Sequence, residues 1–379
     1  MTIETMLKAK AHRILDKLGM TSAVLEMTLR SFRAAALALF ALTGFTLCGK
    51  IDGPDNPDDG WVELNSDLPV RFSTGITTKA TSPLPDNTTF GVFAFYQPGT
   101  ALSPGTWNSS RTPNFMYNED VLFDGSTYTY SPLKYWPNND YNTITFWAYC
   151  PYNASNLVLR ESGSTSTAYS NTSTGIPDLF YTVTDGKTDL LASELVQNES
   201  KQGLSESVLL PFHHTLSKLA FYVKKVDSGG RYTVNLTNVR LDQVYKIATY
   251  SCNSGAWSGW ALPRGSVASY ADDPIPLTTS YPSDANPMVV SYVLPQDLSG
   301  AGTDYTMLHI EYTIWFEGLS EVRTMISNIP LRTVFEDVSA RWDKEKEYKI
   351  YISITPDDPI EFSVIWSNWG TVHNWSISS

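Results

Sequence analysis

The sequence predicts an all-β protein: two consecutive antiparallel β-sandwich domains after a leader and a short tether. Three observations carry that prediction. Beyond Cys48 the chain consists of short aromatic and β-branched runs, each closed by Gly, Pro, Asn, Asp or Ser. No stretch beyond Cys48 repeats its apolar residues at helical spacing over several turns. At 379 residues the chain exceeds one sandwich, so two domains are the default.

Composition narrows the function. Hydrophobic content of 42% with 13% aromatic and only 17% charged residues fits a strand-rich globular protein. The net charge of −12, uninterrupted by any basic stripe, argues against nucleic acid as a partner. The three cysteines, Cys48, Cys150 and Cys252, are too few and too far apart for a disulfide framework or a four-ligand zinc site. Whether Cys150 and Cys252 pair is left open.

In chain order, residues 27–33 are basic and 34–47 form an almost uncharged apolar run ending at Cys48. The run is short for a bilayer span and has the proportions of a signal peptide, so residues 1–47 are read as the leader of an exported protein. Residues 1–26 are mixed and charged, which no signal peptide needs ahead of its basic region; they point to a translation start at Met27. A cysteine directly after the apolar run, with no small-x-small cleavage site before it, resembles a lipobox and marks Cys48 for diacylation, although Leu47 stands where a small residue is usual. The alternative is an ordinary cysteine in a leader that is uncut or cut elsewhere. Residues 48–60 are Pro, Gly and Asp with little to bury, a solvated tether. Their prolines and the lack of a closing Glu argue against reading Asp52, Asp55, Asp58 and Asp59 as calcium ligands.

Strand patterning begins at Trp61. Residues 61–76 are extended and 77–85 form a loop. Residues 89–96 are a continuous apolar run of the kind buried on both faces. Short strands follow at 114–118, 121–123, 127–130 and 133–136. The clearest strand of this half is 142–149, with Ile144, Phe146 and Ala148 facing one way and Thr145, Trp147 and Tyr149 the other. After a Ser/Thr/Gly loop at 161–175, residues 179–183 and 189–193 are short strands or turns, and polar residues 194–207 connect the halves. The domains are therefore set at 61–205 and 206–379. Residues 208–226 read as one half-buried strand opening the second domain, with the 227–230 turn making an antiparallel hairpin into 231–241. Further strands are read at 243–251, 256–260, 287–294, 303–316 and 321–329. A charged turn running into a strand at 342–354, then 360–365 and 369–377, close the chain.

Reactive constellations are thin. His213 and His214 are adjacent on a strand, so they point to opposite faces and cannot share one metal ion without a bulge. Nucleophile elbow, zincin, Walker and dinucleotide motifs are absent from the sequence. Glu311 and Glu317, candidate glycosidase acids, lie on or beside an alternating strand, where the plain reading is a wet sheet face. Trp136, Trp147, Trp260, Trp342 and Trp366 lie within or beside strands, where packing is the commoner use. No catalytic residue, metal site or cofactor is expected.

The block Pro211-Phe-His-His-Thr-Leu-Ser-Lys-Leu219, inside 208–223, resembles the segment that opens the second domain of fimbrillin-like surface lipoproteins of Bacteroidota. Similarity extends to Phe90-Gly-Val-Phe-Ala-Phe-Tyr96, Phe115-Met-Tyr-Asn118, Tyr135-Trp-Pro137 and Phe146-Trp-Ala-Tyr-Cys-Pro151. It continues from Trp342 through Tyr348-Lys-Ile-Tyr-Ile352 to Ile360-Glu-Phe-Ser363 and Trp369, in the family order. The resemblance implies transthyretin-like sandwiches in a lipoprotein exported through the periplasm to the outer membrane. It implies a fimbrial subunit or adhesin, non-enzymatic, whose partners are other fimbrial subunits, in a homo- or hetero-polymer, and receptors on host or bacterial surfaces. It also implies polymerisation by donor-strand exchange: an Arg- or Lys-directed protease removes the first strand and a neighbour's strand fills the groove.

Transferred here, the removable piece is 61–76, with cleavage after Arg71 or Lys79, the latter a lysine where the family commonly shows arginine. The donor candidates are the alternating Trp369, Thr371, His373, Trp375 and Ile377. The plain alternatives are that 61–76 stays as a permanent edge strand and that 369–377 is the last strand of its own domain. The rival function is a surface glycan-binding lipoprotein that stacks sugars on exposed aromatics.

Overall fold

A computed structural model describes residues 67–76, 84–201, 207–226, 229, 231–270, 273–299, 305–335, 340–356 and 360–369. Cys48, Lys79, Thr371, His373, Trp375 and Ile377 lie outside the described residues, as do the leader and the tether. The first half contains β1 (Phe72–Ile76), β2 (Thr88–Gln97), β3 (Met116–Phe123), β4 (Tyr128–Thr129), β5 (Thr143–Cys150), β6 (Leu157–Arg160), β7 (Asp178–Thr182), β8 (Leu191–Ser193) and β9 (Val196–Glu199). Then come β10 (Val208–His214), β11 (Ser217–Lys225), β12 (Tyr232–Val244), β13 (Ile247–Ser251), β14 (Ala256–Ser258), β15 (Gly265–Tyr270) and β16 (Ile275–Pro276). The chain closes with β17 (Val289–Val293), β18 (Gln296–Asp297), β19 (Met307–Phe316), β20 (Val322–Pro330), the single-turn helix α1 (Leu331–Val334), β21 (Arg341–Trp342), β22 (Lys346–Ile354) and β23 (Glu361–Asn368).

The first sheet runs β1-β10-β8-β5-β2-β3-β4, with β9 also on β5. Its centre, β2 paired with β5, is buried on both faces, which is why both read as unbroken apolar runs. Phe90, Val92, Ala94 and Phe146 face one core, shared with Phe72 and Phe212. Phe93, Phe95, Trp147 and Tyr149 face the other, shared with Leu219, Phe221 and Ile350 of the second half. The sheet therefore separates two cores, of which the second is built from both halves. Gly91 sits where β2 meets Tyr149: a Cβ there would come within 2.4 Å of that ring and 2.6 Å of the Asn118 Oδ1.

The second half holds a sheet ordered β17-β11-β22-β23 and one ordered β15-β12-β19-β20, with β16 also on β12. The alternation of Leu308, Ile310, Tyr312 and Ile314, all buried, fulfils the pattern read over 303–316. A further sheet, β14-β13-β7-β6, takes two strands from each half.

Three expectations differ from these pairings. The stretch 208–226 is two strands in two sheets: β10 joins β8 and β1 in the first sheet, and β11 joins β17 and β22. The change of sheet at Thr215 and Leu216, both fully buried, is made affordable by bonds from the Thr215 N–H and hydroxyl to the Leu190 carbonyl. The division at 205/206 therefore falls ahead of a strand that belongs to the first sheet. The expected hairpin across 227–230 is a crossing between sheets, because β11 already has β17 on one edge and β22 on the other. Finally, the sheets are mixed, with β1 parallel to β10 and β11 parallel to β22.

Gly91→Ala is expected to destabilise the protein by about 1–3 kcal/mol through overpacking against Tyr149, read as a lowered denaturant midpoint at unchanged slope.

Candidate functional site

The chemistry expected of this chain lies in strand edges, and the first strand gives the clearest case. β1 is terminal in its sheet and pairs with β10 along its entire length, from Phe72 opposite Val208 to Ile76 opposite Phe212. The preceding residues are tied down as well: the Val70 N–H donates to the Lys134 carbonyl at 2.8 Å, and the Val208 N–H donates to the Arg71 carbonyl at 2.8 Å. Side chains alternate as a half-buried strand requires. Val70, Phe72 and Thr74 point inward and are buried, whereas Arg71 is exposed and the Ser73 hydroxyl meets that of Ser207 at 3.0 Å.

The slot that receives these side chains is aromatic with a polar end. The Phe72 ring lies 5.6 Å from that of Tyr130 and 5.8 Å, edge-on, from that of Phe146. The Thr74 hydroxyl bonds that of Tyr128 at 2.6 Å, and the Tyr130 hydroxyl donates to the Val70 carbonyl at 2.8 Å. Burial pushes the Tyr130 phenol up to about 12 and also raises that of Tyr128. On its far edge β10 has β8 only over Phe212, His213 and His214. Over Val208–Leu210, β1 is thus the sheet neighbour that satisfies the backbone. Its removal would uncover a row of amides and carbonyls beside an apolar trough, the feature to which a complementary strand adds.

Of the two expected cleavage points, Arg71 lies immediately before β1, with its side chain in solvent. A cut there leaves β1 in place, and only a cut beyond Ile76, as at Lys79, detaches it. Of the donor candidates, Trp369 is on its own molecule. It directly follows β23, donates its N–H to the Glu345 carbonyl at 2.8 Å, and is buried. Its ring stacks on His214 at 3.5 Å between centroids and on Tyr292 at 5.4 Å, with the Lys218 ammonium 5.5 Å away. His214 in turn bonds Asp189 at 2.6 Å, while its neighbour His213 faces Glu194 at 2.9 Å. The adjacent imidazoles thus have separate carboxylate partners.

The remaining expectations resolve individually. Cys150 and Cys252 are both free thiols. Burial raises both, Cys150 to about 12. Among the described residues no group of three or more His, Cys, Asp or Glu could hold a metal ion. Glu317 pairs with Arg231 at 3.4 Å. Trp136, Trp147 and Trp342 are core residues, whereas Trp260 and Trp366 are 40% and 42% exposed. Sequence reasoning missed Tyr128 and Tyr130 as the wall of the slot and Val208, Leu210 and Phe212 as its floor. The alternation in Thr127-Tyr-Thr-Tyr130 was the available signal.

These features define a class: an all-β chain whose distinctive site is a terminal edge strand over an aromatic trough. The fimbrillin-like family profile matches residues 77–369, and the chain belongs to that family. It is similar to the fimbrium subunit Fim1C of Phocaeicola vulgatus, 32% identical over 222 residues, a match that covers 53% of this chain and 55% of that protein. The match thus spans about half the length of that curated relative. Its fold is similar to the crystal structure of a fimbrial protein from Bacteroides vulgatus ATCC 8482, with a TM-score of 0.53 at 21% identity, covering 79% of this chain and 99% of that one.

The folded protein holds Tyr130 neutral above the ordinary phenol range, so its contribution to stability is complete below about pH 10 and is lost as pH rises toward about 12. Alkaline titration followed by circular dichroism is expected to show this loss, with a shallower decline for Tyr130→Phe.

Proposed function

We propose that the protein is a non-enzymatic fimbrial subunit, lipidated at Cys48 during export, that joins its neighbours when β1 is cut away and another subunit's strand takes its place at the cell surface. The single observation that supports this reading is β1 itself: a terminal strand, paired along its full length with β10, that puts Val70, Phe72 and Thr74 into an aromatic trough. Strands of this kind contribute main-chain hydrogen bonds for affinity and alternate side chains for specificity. Family membership and the likeness to a fimbrium subunit agree with it. The cut that serves this purpose falls in 77–83, with Lys79 as the residue a basic-specific protease would read. The donor we infer is the C-terminal segment with Thr371, His373, Trp375 and Ile377, whose alternation in the sequence suits an inserted strand.

The test uses two components. The acceptor carries a site-specific protease site in 77–83, is cut, and ends at Trp369, so that it can neither fill its own slot nor donate. The donor is the uncut full-length chain. Mixing is expected to release the acceptor's N-terminal fragment and to give a one-to-one complex that survives SDS at moderate temperature. Retention of the fragment on the cut chain, or absence of any complex, overturns the reading. For the anchor, Cys48→Ser is expected to move the protein from the membrane to the soluble fraction, since stable attachment needs the two acyl chains.

A further inference from the structure

A polar cleft lies in the second half, where the ladder between β12 and β15 is interrupted. Leu241 pairs with Val267 and Val244 with Gly265, so Asp242 and Gln243 together stand against Ser266 alone. This two-against-one count is a β-bulge, which breaks the ladder locally and re-aims a side chain. Gln243 takes a φ of 58°, in the left-handed region that a residue with a Cβ enters at a cost. Beside the bulge is a cleft of about 410 Å³ lined by Asp242, Gln243, Arg264, Ser266, Tyr305 and Met307. Such a volume is within the range of small-molecule sites. Its wall is tied to the neighbouring elements: the Thr306 hydroxyl donates to the Gln243 carbonyl at 3.2 Å, and the Leu331 N–H donates to the Thr306 carbonyl at 2.9 Å.

The charges around this cleft are mostly positive. Arg240 holds Asp242 with two bonds, Nε to Oδ1 at 2.8 Å and Nη2 to Oδ2 at 3.0 Å, and the Ser266 hydroxyl adds a third to Oδ1 at 2.5 Å. Burial favours the neutral form of this carboxyl, but the bonds from Arg240 and Ser266 outweigh it and hold the group below the ordinary range. Asp242 is therefore ionised at neutral pH, and its charge is cancelled by that of Arg240. Arg264 remains, with its guanidinium 4.3 Å from the centre of the Tyr245 ring, a stacking that fixes the plane of the fork. Two further cations adjoin the lining. The Lys246 Cδ lies 2.8 Å from where a Cβ on Gly265 would be, and the Arg332 guanidinium lies 4.2 Å from the centre of the Tyr305 ring. On a chain of net charge −12, such a cleft is a local attractor for anions.

Asp242 narrows the kind of anion. A carboxylate offers about four acceptor positions, and its partners here are all on one side of the bulge. A bare inorganic anion gains from Arg264 but is repelled by Asp242 and makes no use of its acceptor oxygens. A ligand with one carboxylate and several hydroxyls uses both: the carboxylate meets the guanidinium fork, and the hydroxyls donate to the Asp242 and Gln243 oxygens. Tyr305 and Met307 supply apolar surface for the C–H face of such a ring.

We infer that this cleft binds an acidic sugar, a uronic or sialic acid residue of a glycan, with Arg264 taking the carboxylate and Asp242 and Gln243 taking hydroxyls. The inference is independent of β1 and its removal, because β12, β15 and β19 form a sheet that does not include the first strand.

Isothermal titration calorimetry of the full-length protein in detergent tests it. The probes are trigalacturonate and sialyllactose, set against methyl-esterified trigalacturonate, lactose and inorganic phosphate. At least one acidic sugar is expected to bind, which identifies the source, and its neutral counterpart is expected to bind about tenfold more weakly or worse. Arg264→Gln is expected to cost as much, whereas Arg231→Gln, which removes an equal charge from the exposed pair with Glu317, leaves the affinity unchanged. Gln243→Gly keeps the fold safe, since glycine suits the left-handed backbone, and is expected to weaken binding at an undiminished denaturant midpoint. Failure of both acidic sugars to bind, equal binding of the neutral counterpart, or phosphate binding as tight as the sugar overturns the inference. So does full affinity in Arg264→Gln or Gln243→Gly.

Discussion

A buried strand must have the hydrogen-bonding groups on both its edges satisfied, and β10 is the strand on which that requirement bears most heavily here. Its inward residues Val208, Leu210 and Phe212 are fully buried, yet β8 reaches only its last three positions. Its other edge is covered from far earlier in the chain, by β1 along 208–212. Pro211, which has no N–H to offer, stands just where the β8 pairing stops. The arrangement makes the first sheet depend, along one edge of β10, on a strand distant in sequence.

The same economy explains why the two halves cannot be separated cleanly. β2 and β5 present apolar residues on both faces, so the first sheet needs cover on two sides. One side is filled by Phe72, Phe212 and their neighbours, and the other by residues of the second half such as Leu219 and Phe221. The connection through Thr215 and Leu216 and the mixed sheet of β6, β7, β13 and β14 follow from that need. Loss of β1 removes side chains only from the first of the two cores. The second, with Trp147 and Tyr149 in its wall, keeps its lining, so an emptied slot need not unfold the rest.

Much of this was legible in the sequence because strand periodicity is local. The unbroken run at Phe90–Tyr96, written by residues whose neighbours are all apolar, could only be a strand covered on both faces, and it is. The alternation at Leu308, Ile310, Tyr312 and Ile314 likewise located β19. What the sequence hid was pairing. Nothing at His214-Thr215-Leu216 resembles a turn, since neither Gly nor Pro is present, so two strands in separate sheets read as one. The parallel partnership of β11 with β22 joins residues 218–225 to 347–354, and no local signal specifies a partner that distant. The slot suffered similarly: Phe72 was visible as an apolar position, but Tyr128 and Tyr130 become its wall only through the path of β4 and the turn after it.

An edge strand that is to be replaced faces conflicting demands. It must hold the precursor together, and it must not be the best occupant available. β1 meets the first through Phe72 and, two residues ahead of it, Val70, each worth about 1.5–3 kcal/mol on burial, and through backbone bonds along its five residues. It concedes the second by pairing in parallel, by presenting the small Thr74 at its polar end, and by having Gly75 in place of a side chain on its outer face. While covalently attached it needs no further affinity, because connection to the chain keeps its local concentration high. Cleavage withdraws that advantage alone and leaves every contact in place. A competing strand then needs only a modest gain to displace it, since a difference of 1.4 kcal/mol already shifts the balance about tenfold. Under the proposed function, control of such a site would reside in the covalent continuity of residues 77–83, with no reactive side chain required.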